Sequence, residues 1–241
     1  LHLLVFGGSQ GAHQINQAMT AIADELAEWP IRVFHQTGKA DLHSVREAYA
    51  QAGVPAEVVE FESDMPSRYQ WADLAIARAG ALTVAELAMA GLPALLVPYP
   101  FAADDHQSAN AEALSQAGAA LRIDSRPLDP KTLSQQIRAL QQEPGRLMAM
   151  SQASLALARP GAAQQIIEET AAALQEIGLP FYLPRGGSFV FINLDSRLGG
   201  GPWAKPPHPS VQFVAVHRPV HPRLFLGDFF GVGDECRVLF S

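Results

Sequence analysis

Ala79-Gly80-Ala81-Leu82-Thr83-Val84-Ala85-Glu86-Leu87-Ala88-Met89-Ala90-Gly91-Leu92-Pro93-Ala94 is the stretch on which the fold turns. A Gly turn leads into an apolar helical run over 82–90, Gly91 stops it, and a buried strand follows at Ala94–Val97. The start of such a helix offers unpaired backbone N–H groups and the Thr83 hydroxyl to an anion. Glu86, one turn on, can accept hydrogen bonds from a diol such as a ribose. Thr followed by Glu three residues later is equally a capping box that needs no ligand.

The same strand–turn–helix grammar extends in both directions. Short apolar runs at Leu3–Phe6, Ile31–His35, Val58–Phe61, Leu74–Ala77 and Ala94–Val97 read as strands. Helical patterns occupy roughly 12–27, 40–52, 82–90, 107–117, 130–141 and 161–176. Apolar strands alternating with helices predict an α/β fold, a Rossmann-like parallel sheet covered on both faces. Right-handed crossovers then gather the loops at 7–12, 35–39, 61–65, 79–83 and 98–107 on one sheet edge, where open α/β folds bind ligands.

The net charge of −7 and pI near 5.6 argue against nonspecific nucleic-acid binding. Cys236 is the only cysteine, which excludes an internal disulfide and any cysteine-based zinc motif. No apolar run approaches the roughly 20 residues of a membrane span. The chain opens on an apolar strand and without Met, so it is expected to begin inside a larger protein.

Composition changes near Gly178. Residues 178–241 hold 8 of the 18 prolines and 9 of the 19 glycines, and Lys+Arg there outnumber Asp+Glu by 6 to 4, reversing the balance of 1–177. The expected division is therefore a nucleotide-binding domain over 1–177 and an irregular Pro/Gly-rich tail over 178–241. Three readings of the tail stand side by side: a small β appendage with strands at Phe189–Ile192 and Val211–Val216, a disordered extension, or out-of-frame sequence.

Each candidate site residue has a plain reading beside the functional one. Gly7-Gly8-Ser9-Gln10-Gly11-Ala12 joins a strand to a helix and suits a phosphate. It also suits a tight turn, and it lacks the Gly-x-Gly-x-x-Gly dinucleotide spacing and the P-loop lysine. His35 is either a ligand contact or a structural strand-end histidine. A planar base can pack on Phe61 and Met65 while the main chain of Glu62 meets its edge, yet both side chains are readable as core. Asp64 and Asp73 read as solvated or capping carboxylates. Arg78 either neutralises a phosphate or is a surface arginine. His106, Gln107 and Asn110 open a helix, where Gln107 and Asn110 can meet sugar hydroxyls and Asp105 can serve as N-cap. Asp104-Asp105-His106 alone makes a poor metal site, because adjacent residues rarely converge on one ion, and no metal is expected.

Taken in order, Gly7–Ala12, His35-Gln36-Thr37-Gly38-Lys39, Phe61–Met65, Arg78–Glu86 and Pro98–Asn110 resemble the MurG family, the UDP-N-acetylglucosamine transferases that complete lipid II in peptidoglycan synthesis. The resemblance covers about 1–176. It implies one half of a GT-B glycosyltransferase, the C-terminal, donor-binding one. It places Ser9, Gln10 and Gly11 near the diphosphate and donor sugar, and Phe61, Glu62 and Met65 around the uracil. Leu82 and Thr83 fall at the diphosphate, Glu86 at the ribose, and Gln107 and Asn110 at the N-acetylglucosamine, with His106 beside them in a slot where the family also often has a glutamine. It implies UDP-GlcNAc as donor, lipid I as acceptor and no cofactor. It also implies a cytoplasmic protein peripheral to the inner face of the cell membrane. The catalytic base is expected in the family's N-terminal half, which has no counterpart in this sequence, so the chain by itself is expected to be inactive. Other readings are another GT-B enzyme, such as a glycolipid synthase or a UDP-sugar epimerase, and a non-catalytic nucleotide-sugar-binding module.

Overall fold

Leu3, Leu4, Val5 and Phe6 run without a polar break because the first strand, β1 (His2–Phe6), is covered on both faces. Side chains alternate across a sheet. Leu3 and Val5 accordingly enter one hydrophobic cluster, and Leu4 and Phe6 the other. The computed structural model describes residues 1–7, 12–99, 105–123 and 126–176, and three short strands beyond them. It divides into two compact units, 1–159 and 160–241.

In the first unit β1 is followed by α1 (His13–Ala21), α2 (Ala23–Ala27), β2 (Arg32–Gln36), α3 (Leu42–Ala52), β3 (Ala56–Val59), α4 (Met65–Trp71) and β4 (Leu74–Ala77). Then come α5 (Ala81–Ala90), β5 (Ala94–Leu96), α6 (His106–Gln116), β6 (Ala120–Arg122), α7 (Pro130–Gln142) and α8 (Pro144–Leu157). The strands form one parallel sheet in the order β3-β2-β1-β4-β5-β6. Helices α1, α2, α3 and α7 bury Ile15, Met19, Leu26, Tyr49, Leu133 and Ile137 on one face. Helices α4, α5 and α6 bury Tyr69, Leu87 and Ala111 on the other. This is the expected Rossmann-like architecture.

The turn after α5 shows why Gly91 stands where it does. Its φ of 63° is left-handed, and a Cβ there would lie 2.6 Å from Leu155 Cγ of α8. Leu92 N–H donates to Leu87 O at 3.0 Å and Gly91 N–H to Ala88 O at 3.1 Å, closing the helix end before β5.

Several elements differ from the sequence reading. The helical stretch 12–27 breaks at Ile22 into α1 and α2. Strand β3 lies at 56–59, ahead of the expected 58–61. Helices α4 and α8 and strand β6 are additional.

The second unit holds helix α9 (Ala162–Glu176) and an antiparallel sheet of β7 (Phe181–Tyr182), β8 (Val190–Ile192) and β9 (Gln212–Val214). Strands β8 and β9 fall within the two strand candidates of the tail. The division at 159/160 lies ahead of the composition change at 178 and groups α9 with the second unit. The rest of the tail lies outside the described residues.

Candidate functional site

The order of the strands fixes where a ligand crevice opens. The chain leaves β1 toward α1 on one face of the sheet and leaves β4 toward α5 on the other, so their loops part at the β1/β4 boundary. Ligands of open α/β sheets bind at such a switch point, beyond the carboxyl ends of the strands. Gly8, Ser9, Gln10 and Gly11 of the first loop lie outside the described residues, as do 100–104 of the loop before α6.

Past β4, Gly80 is the N-cap of α5, extended at φ −63° and ψ 150°, and no side chain caps the helix. The first intrahelical bond of the ladder runs from Val84 N–H to Gly80 O at 3.0 Å. The N–H groups of Ala81, Leu82 and Thr83 therefore sit at the open end of the helix. Thr83 is the third helical residue and not the cap, so the capping-box alternative falls. Glu86 does not reach back to the helix start. Its Oε2 accepts a hydrogen bond from the Tyr69 hydroxyl of α4 at 2.7 Å, which leaves Oε1 for another donor. Leu82 is 72% exposed at the first turn.

The loop after β3 settles two further alternatives. Phe61 is 60% exposed and is not a core residue. Met65, the first residue of α4, is half-buried against the second cluster. The Glu62 carboxylate accepts from Asp64 N–H at 2.8 Å and pairs with Arg68 Nε at 2.8 Å. These contacts, the Asp64 N–H first, hold its carboxyl below the usual range. With the side chain so engaged, the main chain of Glu62 is what this residue can offer a ligand. Asp64 is a cap, accepting from Ser67 N–H at 3.2 Å. Asp73 is not a helix cap: it accepts from His2 N–H at 2.7 Å and ties β1 to the start of β4.

Arg78 is an anchor within the fold. Its guanidinium donates to Val97 O at 3.1 Å, Pro98 O at 3.0 Å and Gln14 Oε1 at 3.2 Å, and lies 5.5 Å from the Tyr99 ring centre. Burial lowers its pKa. It binds the end of β5 to the end of β4 and to α1. Gln107 Oε1 accepts from Tyr99 N–H at 3.0 Å, and Asn110 Nδ2 donates to Ala79 O at 2.9 Å. Gln107 thus keeps its amide donors and Asn110 its carbonyl acceptor, a complementary pair for hydroxyl groups. His106 is exposed at the first position of α6. Asp105 occupies the N-cap position at φ 46° without a side-chain cap bond, and its carboxylate lies 3.8 Å from Arg126. No group of three or more metal-binding side chains occurs among the described residues.

His35 has the structural role. It is fully buried at the end of β2, with Nε2 2.9 Å from Asn16 Oδ1 and Nδ1 3.0 Å from the Tyr49 hydroxyl. Burial pushes its pKa down to about 3, so the ring is neutral, donating through Nε2 and accepting from Tyr49. Asn16 Nδ2 donates to Thr37 O at 2.9 Å and to Asp41 Oδ2 at 2.7 Å. Burial would raise the Asp41 carboxyl, but hydrogen bonds from Asn16 and His13 hold it below the usual range.

Tyr69, Gln14 and Tyr99 hold Glu86, Arg78 and Gln107 in place, and all three escaped the sequence reading. Tyr69 had a usable signal: it stands one helical turn after Met65 and just ahead of a strand that leads to Glu86.

With this geometry in place, the likeness to known proteins becomes specific. The family described as "Glycosyltransferase family 28 C-terminal domain" matches residues 2–166. The chain belongs to this glycosyltransferase family. A UDP-N-acetylglucosamine–N-acetylmuramyl-(pentapeptide) pyrophosphoryl-undecaprenol N-acetylglucosamine transferase of Geobacter metallireducens is 46% identical over 170 residues, 70% of this chain and 47% of the relative. The transferase of the same name from Methylococcus capsulatus is 48% identical over 165 residues, 68% and 47% of the two chains. The crystal structure of MurG from Acinetobacter baumannii superposes with a TM-score of 0.67 at 37% identity, covering 71% of this chain and 52% of that one. The calicheamicin glycosyltransferase CalG4 shares the fold, with a TM-score of 0.50 at 21% identity. This glycosyltransferase family 28 chain therefore stands with the MurG sequences, and its sheet is one Rossmann-like half of a GT-B fold. It spans about half the length of the curated relatives it matches.

Proposed function

We propose that this chain is the donor-binding half of an inverting hexosyltransferase. In this reading the enzyme moves N-acetylglucosamine from UDP-GlcNAc to lipid I, forming lipid II for peptidoglycan and so serving cell-wall growth and division. The observation that carries the reading is the juxtaposition beyond β4 and β5. The open start of α5, the Glu86 carboxylate one turn on, and the anchored amides of Gln107 and Asn110 share one sheet edge. They match the diphosphate, the ribose and the hexose of a nucleotide sugar.

The roles follow from the groups each residue offers. N–H groups of Ala81, Leu82 and Thr83, with the Thr83 hydroxyl, hold the diphosphate, and their dipole favours the charge that grows there as UDP leaves. Ser9, Gln10 and Gly11 are assigned to the diphosphate and sugar from the other lip. Phe61 and Met65 pack the uracil, whose edge meets the main chain of Glu62. Gln107 and Asn110, with His106 beside them, take the hydroxyl and acetamido groups of the sugar. Arg78 contributes by holding the loops rather than by touching phosphate. The C4 hydroxyl of the acceptor's muramyl sugar attacks the anomeric carbon, the bond to UDP breaks with inversion, and the hydroxyl proton passes to a base. That base, the lipid I site and the contact with the inner face of the membrane are assigned to the enzyme's other domain. No helix among the described residues is long and apolar enough to cross a membrane.

Calorimetry on the 241-residue chain tests the donor site directly. UDP and UDP-GlcNAc are expected to bind comparably without added metal, and GDP and NAD much more weakly. Tighter NAD binding, or binding that requires magnesium, overturns the reading.

A further inference from the structure

We propose that Tyr69 is a positioning residue that aims the Glu86 carboxylate at the ribose, an inference that rests on the ribose role given to Glu86 above. The Tyr69 ring is part of the second core cluster, 7% exposed, with its centre 5.9 Å from that of Phe6. Its hydroxyl is thus held by the core and donates to Glu86 Oε2 at 2.7 Å. Burial, and the carboxylate beside it, push the phenol well above its usual range, so it remains a donor.

A glutamate on a half-exposed helix face has three side-chain torsions to sample, and ordering it at the moment of binding costs free energy. A rigid donor on Oε2 removes that freedom beforehand. A carboxylate offers about four lone-pair directions. The phenol takes one on Oε2 and leaves both on Oε1, toward which two neighbouring hydroxyls can converge. Tyr69 also links the two ends of the nucleoside. Helix α4 begins at Met65, its N-terminus is capped by Asp64, and Arg68 ties it to Glu62. One short helix therefore sets the distance between the base-packing residues and the group that meets the ribose.

The test is the affinity of the full chain for UDP and for 2′,3′-dideoxy-UDP, measured for the parent, Tyr69→Phe, Glu86→Ala and the double variant. Phenylalanine keeps the ring and its packing and removes only the hydroxyl. Tyr69→Phe is expected to weaken UDP about 3- to 10-fold, the range of one lost hydrogen bond, and to leave dideoxy-UDP within about 2-fold. In the Glu86→Ala background it is expected to change neither. If Glu86→Ala weakens both ligands equally, the ribose role of Glu86 fails and this inference with it. If Glu86→Ala discriminates between them and Tyr69→Phe does not, the ribose role stands and the positioning role is overturned. A Tyr69→Phe chain that does not fold, by thermal unfolding, also overturns it, since the hydroxyl then serves the core.

Discussion

At the end of β2, His35 has both ring nitrogens occupied, Asn16 bridges it to Thr37 and Asp41, and Tyr49 closes the far side. Beyond β4 and β5, Glu86 accepts one bond from Tyr69, Gln107 accepts one from Tyr99, and Asn110 donates one to Ala79. The residue types are alike, and both groups stand at carboxyl ends of strands in the same sheet. The difference lies in how much hydrogen-bonding capacity the fold consumes. Where it consumes all of it, the cluster is a buried clamp. Where it consumes one valence per side chain, the residue is held in place with a face left for a ligand. Position on the sheet edge alone does not separate these cases.

The contrast breaks most sharply in stability. His35→Leu leaves the Tyr49 hydroxyl and the Asn16 carbonyl without their partner in a buried site. Each unsatisfied group costs about 1–3 kcal/mol, so a loss of about 2–5 kcal/mol is expected in urea unfolding. Glu86→Ala removes a half-exposed carboxylate and is expected to cost less than about 1 kcal/mol of stability. It should weaken UDP by about 1.5–3 kcal/mol, the worth of a charge-assisted bond. A reversed pattern, with His35→Leu hurting UDP binding in the folded chain and Glu86→Ala hurting stability, would mean that the two clusters have been misassigned.

Protonation sharpens the same contrast. The pKa of His35 falls from an ordinary value near 6.5 to about 3 in the folded chain. The unfolded state therefore binds the extra proton first. The stability that neutral His35 confers is complete above pH 6.5, and it declines as pH falls from 6.5 toward 3. The slope is about 1.4 kcal/mol per pH unit for one such group. The depressed Asp41 carboxyl adds its own loss only as pH falls below the ordinary aspartate value of 3.8. Urea unfolding between pH 7 and pH 4.5 should show the His35 slope, and His35→Gln should lack it. An unchanged slope in the variant would place the titrating group elsewhere.

The α/β alternation and the loop cluster were legible because strands such as Leu3–Phe6, between His2 and Gly7, and Leu74–Ala77, between Asp73 and Arg78, are continuous apolar runs with polar residues or glycine on either side. Elements that carry no such contrast were not. Strand β6 has three residues and ends on the exposed Arg122. Helix α8 opens on Pro144-Gly145, which reads as a turn, although proline suits a first helical position. Helix α4 has seven residues with proline at the second, too few for a period to show. Missing α4 hid Tyr69, and with it the partner of Glu86. Motif spacing placed Glu86, Gln107 and Asn110 on one edge. Whether Thr83–Glu86 was a capping box, and whether Phe61 was core, depended on backbone conformation and burial that no local pattern encodes.

The smallest expected effect separates the two amides of α6. Asn110 is tied to Ala79, next to the Gly80 cap of α5, so Asn110→Ala loosens the turn proposed for the diphosphate as well as removing the proposed sugar contact. It is expected to weaken UDP, and to weaken UDP-GlcNAc more. Gln107 is tied to Tyr99 N–H, on the loop after β5 and away from the α5 turn. Gln107→Ala removes one neutral donor from the sugar side, worth about 0.5–1.5 kcal/mol. It should therefore weaken UDP-GlcNAc severalfold and leave UDP unchanged, as competition binding against a fluorescent UDP derivative would show. Equal losses for both ligands would mean that Gln107 acts only by holding the loop, and its remaining donors would then have no claim on the sugar.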